Sequence, residues 1–107
     1  MTNVYALSTL TDLVVLNCSY NALLELPSFP TGSALSVLEA SYNQIASLYP
    51  IRNLKELTYV YMDYNKLTNI DLLADCYRLV MVNVYGNKIK DVSKLTAHNI
   101  IVNYDPT

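Results

Sequence analysis

Four asparagines stand 22 residues apart, at Asn21, Asn43, Asn65 and Asn87, each at the same place in an apolar frame. The first copy reads Leu13-x-x-Leu16-x-Cys18-x-x-Asn21-x-Leu23 and the second Leu35-x-x-Leu38-x-Ala40-x-x-Asn43-x-Ile45. The third reads Leu57-x-x-Val60-x-Met62-x-x-Asn65-x-Leu67 and the fourth Leu79-x-x-Val82-x-Val84-x-x-Asn87-x-Ile89. Every framework slot is apolar and no insertion breaks the register. A coil of 22 residues cannot bury its own apolar side chains, whereas stacked coils share one continuous core. The chain is therefore expected to form a solenoid.

Within each copy the apolar residues alternate first and then recur in threes. Alternation predicts a short strand, near residues 14–18, 36–40, 58–62 and 80–84. The second half places Leu26, Leu48, Ile70 and Val92 in one outer slot, then Phe29, Ile51, Leu73 and Leu95 in the next. Gly32, Leu54, Cys76 and His98 take the third. A spacing of three predicts 3₁₀ or short helical turns. Pro27, Pro30 and Gly32 break that spacing in the first copy, so this segment is expected to be extended. The repeated Asn leaves the strand with an amide that both donates and accepts. It can satisfy backbone groups opened inside the coil, or serve only as a turn residue.

The frame resembles the leucine-rich-repeat motif LxxLxLxxNxL, and the copy length resembles the 22-residue, internalin-like class of bacterial surface proteins. Residues 43–57 carry the nearest likeness, which extends over essentially the whole chain. The resemblance implies a right-handed α/β solenoid with a concave parallel sheet and a convex side of 3₁₀ and short helical turns. It also implies that Asn21, Asn43, Asn65 and Asn87 form a ladder along the array. On this frame residues 1–107 are one domain: a partial repeat at 1–12, repeats at 13–34, 35–56, 57–78 and 79–100, and a terminal strand at 101–107.

The partial repeat places Val4, Leu7 and Leu10 in outer slots. At the other end Ile101 falls on the first strand slot, Tyr104 on the second and Pro106 on the third, where a missing N–H stops the ladder. The chain thus reads as the C-terminal part of a longer array, or as a short form that self-associates. Residues 13–16 form a β-prone edge shielded only by residues 1–12, and such edges invite pairing. Concentration-dependent self-association through Leu13–Cys18 or residues 1–12 is expected in sedimentation velocity. A strict monomer at high concentration would refute it.

Composition removes most chemistry. Net charge is −2 and the pI about 5.1, against electrostatic binding of nucleic acid or anionic membrane. No apolar run reaches the roughly 18–20 residues of a membrane span. The first residues carry no basic signal-peptide segment. Cys18 and Cys76 fall two repeats apart in core slots, so they are expected to be buried free thiols rather than a redox or metal pair. His98, with Asp91 and Ser93 nearby in sequence, could suggest a triad, but no nucleophile elbow accompanies it, and His98 is expected to close the last coil. Glu39 and Asp63 could face each other as paired carboxylates, yet no pocket is evident around them. The seven Lys and Arg all lie beyond residue 51 and read as solvated turns. No phosphate loop or metal motif occurs. No catalytic residue, metal or cofactor is assigned, and no enzyme activity is expected.

Tyrosine is the informative residue, with 10 copies against one Phe and no Trp. Tyr20, Tyr42 and Tyr64 precede successive ladder asparagines, and Gly86 takes the fourth place. One strand spacing apart, their rings are expected to stack along the rim. Tyr59 and Tyr61 alternate away from the core and so face the concave side. Their lateral neighbours are Val37 and Met81, then Glu39 and Asn83, with Asp63 and Tyr85 one slot further on. Amphipathic aromatics on an open sheet are common anchors for proteins. The expected function is a protein–protein interaction module whose site comprises Tyr59, Tyr61, Asp63, Met81, Tyr85 and Glu39. The alternative is a rigid spacer without a ligand of its own. The resemblance implies a secreted or surface-attached bacterial protein.

Overall fold

The computed structural model describes residues 12–29 and 32–105. Five short strands form one parallel sheet in sequence order: β1 Val15–Asn17, β2 Val37–Glu39, β3 Tyr59–Tyr61, β4 Met81–Asn83 and β5 Ile101–Asn103. The first four lie inside the expected ranges, and β5 lies within the expected terminal strand. Their register repeats the sequence period, with Val15 opposite Val37, Val37 opposite Tyr59 and Tyr59 opposite Met81. Each strand has three residues, so alternation turns only the middle one inward. Those middle residues Leu16, Leu38, Val60 and Val82 are buried, as are the flanking slots from Leu35 to Leu79.

The outer side returns the chain through compact turns. Tyr49–Ile51 and Asp71–Asp75 are 3₁₀ segments, and α1 is a single turn at Ser93–Thr96. Each begins with a side chain that accepts an N–H two residues on. Ser47 Oγ takes the Tyr49 N–H at 3.1 Å, Asn69 Oδ1 that of Asp71 at 2.8 Å, and Asp91 Oδ1 that of Ser93 at 2.9 Å. These three residues are themselves one repeat apart. Hydrogen bonds from Ser93 hold the Asp91 carboxyl below its usual range. In the first coil the described residues contain no helical turn before Gly32. Gly32 is exposed at φ 83°, and Ser33 is the buried residue there.

Between the sheet and the outer turns, the asparagines tie coil to coil. Asn65 Nδ2 donates to Met62 O of its own coil at 3.2 Å and to Ala40 O of the preceding one at 2.9 Å. Its Oδ1 accepts the Ile45 N–H at 3.0 Å. Asn43 repeats the pattern with Ala40, Cys18 and Leu23, and Asn87 with Val84, Met62 and Leu67. All three are more than nine-tenths buried. Asn21 donates to Cys18 O at 2.9 Å and is less enclosed, being in the first described coil.

The last coil departs from the frame. Ile101 pairs with Met81 rather than with Leu79, so this coil is 20 residues long. Asn99 takes a left-handed φ of 63° three residues after α1 ends. The Asn99 N–H then reaches Thr96 O at 3.0 Å and the Ile100 N–H reaches Leu95 O at 3.2 Å. This pair of bonds closes a helix end on a left-handed residue, for which Asn is the usual choice after Gly. The reversal buries Ile100 against the core beside Leu95 and turns Ile101 outward. Ile101 and Tyr104 therefore do not fill inward strand slots, and His98 does not close the coil but is exposed. Val102 packs on the core in their place.

At the opposite edge Val14 and Val15 are each about half exposed. Residues 1–11 of the expected shield, with the outer slots Val4, Leu7 and Leu10, lie outside the described residues, as do Pro30 and Pro106. No helix among the described residues is long and apolar enough to cross a membrane.

Candidate concave interaction face

The sheet presents its side chains in rows, because parallel strands in register place equivalent residues side by side. One row runs Val15, Val37, Tyr59, Met81, Ile101 across all five strands. All are apolar or aromatic and none is buried. The next row runs Asn17, Glu39, Tyr61, Asn83, Asn103 and is polar apart from the Tyr61 ring. Asn103 Nδ2 donates to Asn83 Oδ1 at 2.6 Å within it. Tyr59 thus lies between Val37 and Met81, and Tyr61 between Glu39 and Asn83.

A third row carries a side-chain relay. Ser19 Oγ accepts the Ser41 N–H and Ser41 Oγ the Asp63 N–H, each at 3.0 Å. Asp63 Oδ1 accepts the Tyr85 N–H at 2.7 Å. Asp63 and Tyr85 are therefore joined directly, and Asp63 also supports the backbone. Partial burial pushes its carboxyl up, opposed by the Tyr85 N–H and reinforced by the nearby Asp105 charge. Short acceptors fill the slot in three successive repeats, a signal visible in Ser19, Ser41 and Asp63 at one-repeat spacing, and Tyr85 ends the series.

Along the rim, the Tyr20 and Tyr42 rings stack at 4.6 Å between centroids, and Tyr42 and Tyr64 at 4.8 Å. All three residues have left-handed backbones, with φ of 60°, 59° and 56°. Gly86, at φ 72°, occupies the fourth equivalent position and lies under the Tyr64 ring. The Tyr42 hydroxyl is pushed up by desolvation and by its two ring neighbours. Between this rim and the strands is an open depression of about 360 Å³, walled by Tyr20, Tyr42 and Tyr61 with Glu39, Asp63 and Asn17 among its other lining residues.

The six expected contact residues thus share one face: Tyr59 and Met81 in the apolar row, Glu39 and Tyr61 in the polar row, Asp63 and Tyr85 in the relay. Val37, expected as a lateral neighbour of Tyr59, completes the apolar row together with Val15 and Ile101, which the sequence frame did not assign to this face. Cys18 and Cys76 are buried free thiols, and burial pushes both thiols up. A thiol in that state is a poor nucleophile. No group of three or more His, Cys, Asp or Glu residues among the described residues could hold a metal ion.

No protein-family profile matches the chain, and no curated protein does. Solved structures do. An internalin C2 from Listeria monocytogenes is 34% identical, with a TM-score of 0.88, over 97% of this chain and 47% of that one. An internalin F from the same organism is 24% identical with a TM-score of 0.71, over 97% of this chain and 38% of that one. The functional domain of InlJ, also from Listeria monocytogenes and described as including a cysteine ladder, is 20% identical with a TM-score of 0.57. That match covers 87% of this chain and 25% of the other. The chain thus spans about half or less of the length of these proteins, and the latter two likenesses bear on the fold alone.

Proposed function

The chain is a leucine-rich-repeat array of the internalin-like class, and from that premise we propose that it binds a protein partner through its concave face. The observation that carries this reading is the unbroken row Val15–Val37–Tyr59–Met81–Ile101. A row of that kind on an open sheet has no internal packing partner to account for it. Tyr59 is about two-fifths exposed at its centre. Tyr61 beside it supplies a large amphipathic ring that loses few rotamers on contact. The sheet is tied by the asparagine bridges and the serine relay, so the face is organised before a partner arrives, which lowers the cost of binding. Met81, Tyr85, Asp63 and Glu39 frame the contact. The module binds rather than catalyses in this reading, and it acts outside the cell or on its surface.

Tyr59→Ala or Tyr61→Ala should weaken binding of a partner recovered by pull-down by about 2 kcal/mol. Melting should change less, since neither ring belongs to the core. Tyr42→Ala should do the reverse, because it removes two ring stacks from the rim. If both concave variants bind normally and melt early, these tyrosines are structural. The mostly polar row beside them would then favour a rigid spacer that displays neighbouring domains.

A further inference from the structure

The depression beside the tyrosine rim gives the partner a chemistry. We propose that it receives an arginine side chain of the bound protein, an inference that rests on the concave-face reading above. Glu39 and Asp63 both line it, and no Lys or Arg does. None of the strands contains a basic residue, so nothing in the sheet itself neutralises these acids. Among the described residues, the Glu39 carboxylate makes no ion pair or hydrogen bond; the one salt bridge joins Arg78 to Glu56 at 3.0 Å, away from this face. Asp63 spends Oδ1 on the Tyr85 N–H and leaves Oδ2 to turn elsewhere.

The two carboxylates come from neighbouring strands, with Glu39 opposite Tyr61 and Asp63 two residues beyond it. A planar guanidinium presents several N–H donors in a fixed fork, so it can address two carboxylates at once, whereas an ammonium meets them as a point charge. The tyrosine edges of the depression suit the apolar stem of the arginine, which packs while its head stays with the acids. A volume of about 360 Å³ accommodates one such side chain rather than a folded element. The site lies directly beside Tyr61, so an arginine seated there places its own backbone next to the Tyr59–Met81 row. Hydrophobic anchoring and charge recognition then act on one segment of the partner.

The test uses the labelled chain and the peptide acetyl-Gly-Arg-Gly-amide, followed by amide chemical shifts at low ionic strength. Saturable shifts should centre on Glu39, Ser41, Tyr42 and Asp63. The peptide with norleucine in place of arginine should leave them unmoved, and the lysine peptide should bind more weakly. E39Q/D63N should weaken the arginine peptide about tenfold. That variant keeps both side-chain shapes, and its residue 63 still accepts the Tyr85 N–H, so the spectrum itself reports whether it is folded. The proposal is overturned by absent shifts, by equal shifts with norleucine, by shifts dispersed over Glu25, Asp71 and Asp75, or by unchanged affinity in E39Q/D63N. If any of these occurs while Tyr59→Ala still weakens a protein partner, the concave reading stands and the arginine site falls. If the peptide binds as expected while Tyr59→Ala and Tyr61→Ala leave the partner untouched, the arginine site stands and the aromatic anchor falls.

Discussion

Asn65→Asp should destabilise the array by about 4 kcal/mol at neutral pH, roughly twice the loss from Asn65→Ala, although it changes the side chain by a single group. The order follows from what the amide touches. In the alanine variant the Ile45 N–H loses Asn65 Oδ1, its acceptor inside the coil. The carbonyls it serves are less affected, because Ala40 O also accepts from Asn43, Met62 O from Asn87 and Asp63 O from the Tyr42 N–H. One orphaned buried donor costs about 1–3 kcal/mol. The aspartate keeps an acceptor for Ile45 but turns its second oxygen towards Ala40 O and Met62 O, which the amide had served as a donor. A carboxylate that is desolvated and faces two carbonyls is raised in pKa in the folded state. The sign follows: its penalty is full above the folded pKa and recedes as pH falls through that value, when the neutral acid can again donate. Denaturant titrations at pH 7 and near pH 4 should therefore converge for Asn65→Asp relative to the parent, while Asn65→Ala should show no such pH-dependent recovery. Asn53→Ala, on an exposed turn, should stay within about 0.5 kcal/mol of the parent. An aspartate variant as stable as the parent at pH 7 would show that the Asn65 amide hydrogens contribute nothing.

The core was legible because stacking makes every coil solve the same problem with the same slots. Leu38 and Val60 are inward for one reason, so their spacing is a direct record of the fold. The last coil was misplaced because the frame was carried forward unchanged past Asn99. The left-handed reversal there accompanies a coil two residues shorter than the others, and its sequence sign was an Asn shortly after a helix-like segment. The concave face was half legible. Alternation pointed Tyr59 and Tyr61 outward, but Val15 read only as part of a β-prone edge and Ile101 as an inward slot, since apolar type alone does not say which side of a sheet a residue faces. The polar devices were missed for a different reason. Ser19, Ser41 and Asp63, and likewise Ser47, Asn69 and Asp91, recur at the repeat spacing as small acceptors of differing chemistry. A search for identical residues passes over them, whereas a search for any short acceptor at that spacing finds both sets.

Gly86→Val should cost about 3 kcal/mol, a large effect for a rim position outside the core. Two terms contribute. At φ 72° a β-branched residue is a strong outlier, since the left-handed region is open to Gly and costs other residues about 1–2 kcal/mol. A Cβ at this position would also overlap Tyr64 Cδ1 and lie 2.7 Å from Cε1, so the ring would have to leave its seat. The three preceding positions show what offsets the first term. Tyr20, Tyr42 and Tyr64 adopt the same backbone and stack in sequence, and ring pairs of this geometry contribute about 0.5–1.5 kcal/mol each. At Gly86 the arrangement is inverted: the residue has no side chain to stack and instead gives the last ring a floor. The two terms can be separated with alanine, which keeps the clash but not the branching. Gly86→Ala should cost markedly less in a Tyr64→Ala background than alone, with only the backbone term remaining. Equal cost in both backgrounds, measured by denaturant midpoint, would mean that the Tyr64 ring yields freely. The rim would then be a row of exposed tyrosines with no structural end, and their contact with a partner, rather than their stacking, would have to explain the strained backbone they share.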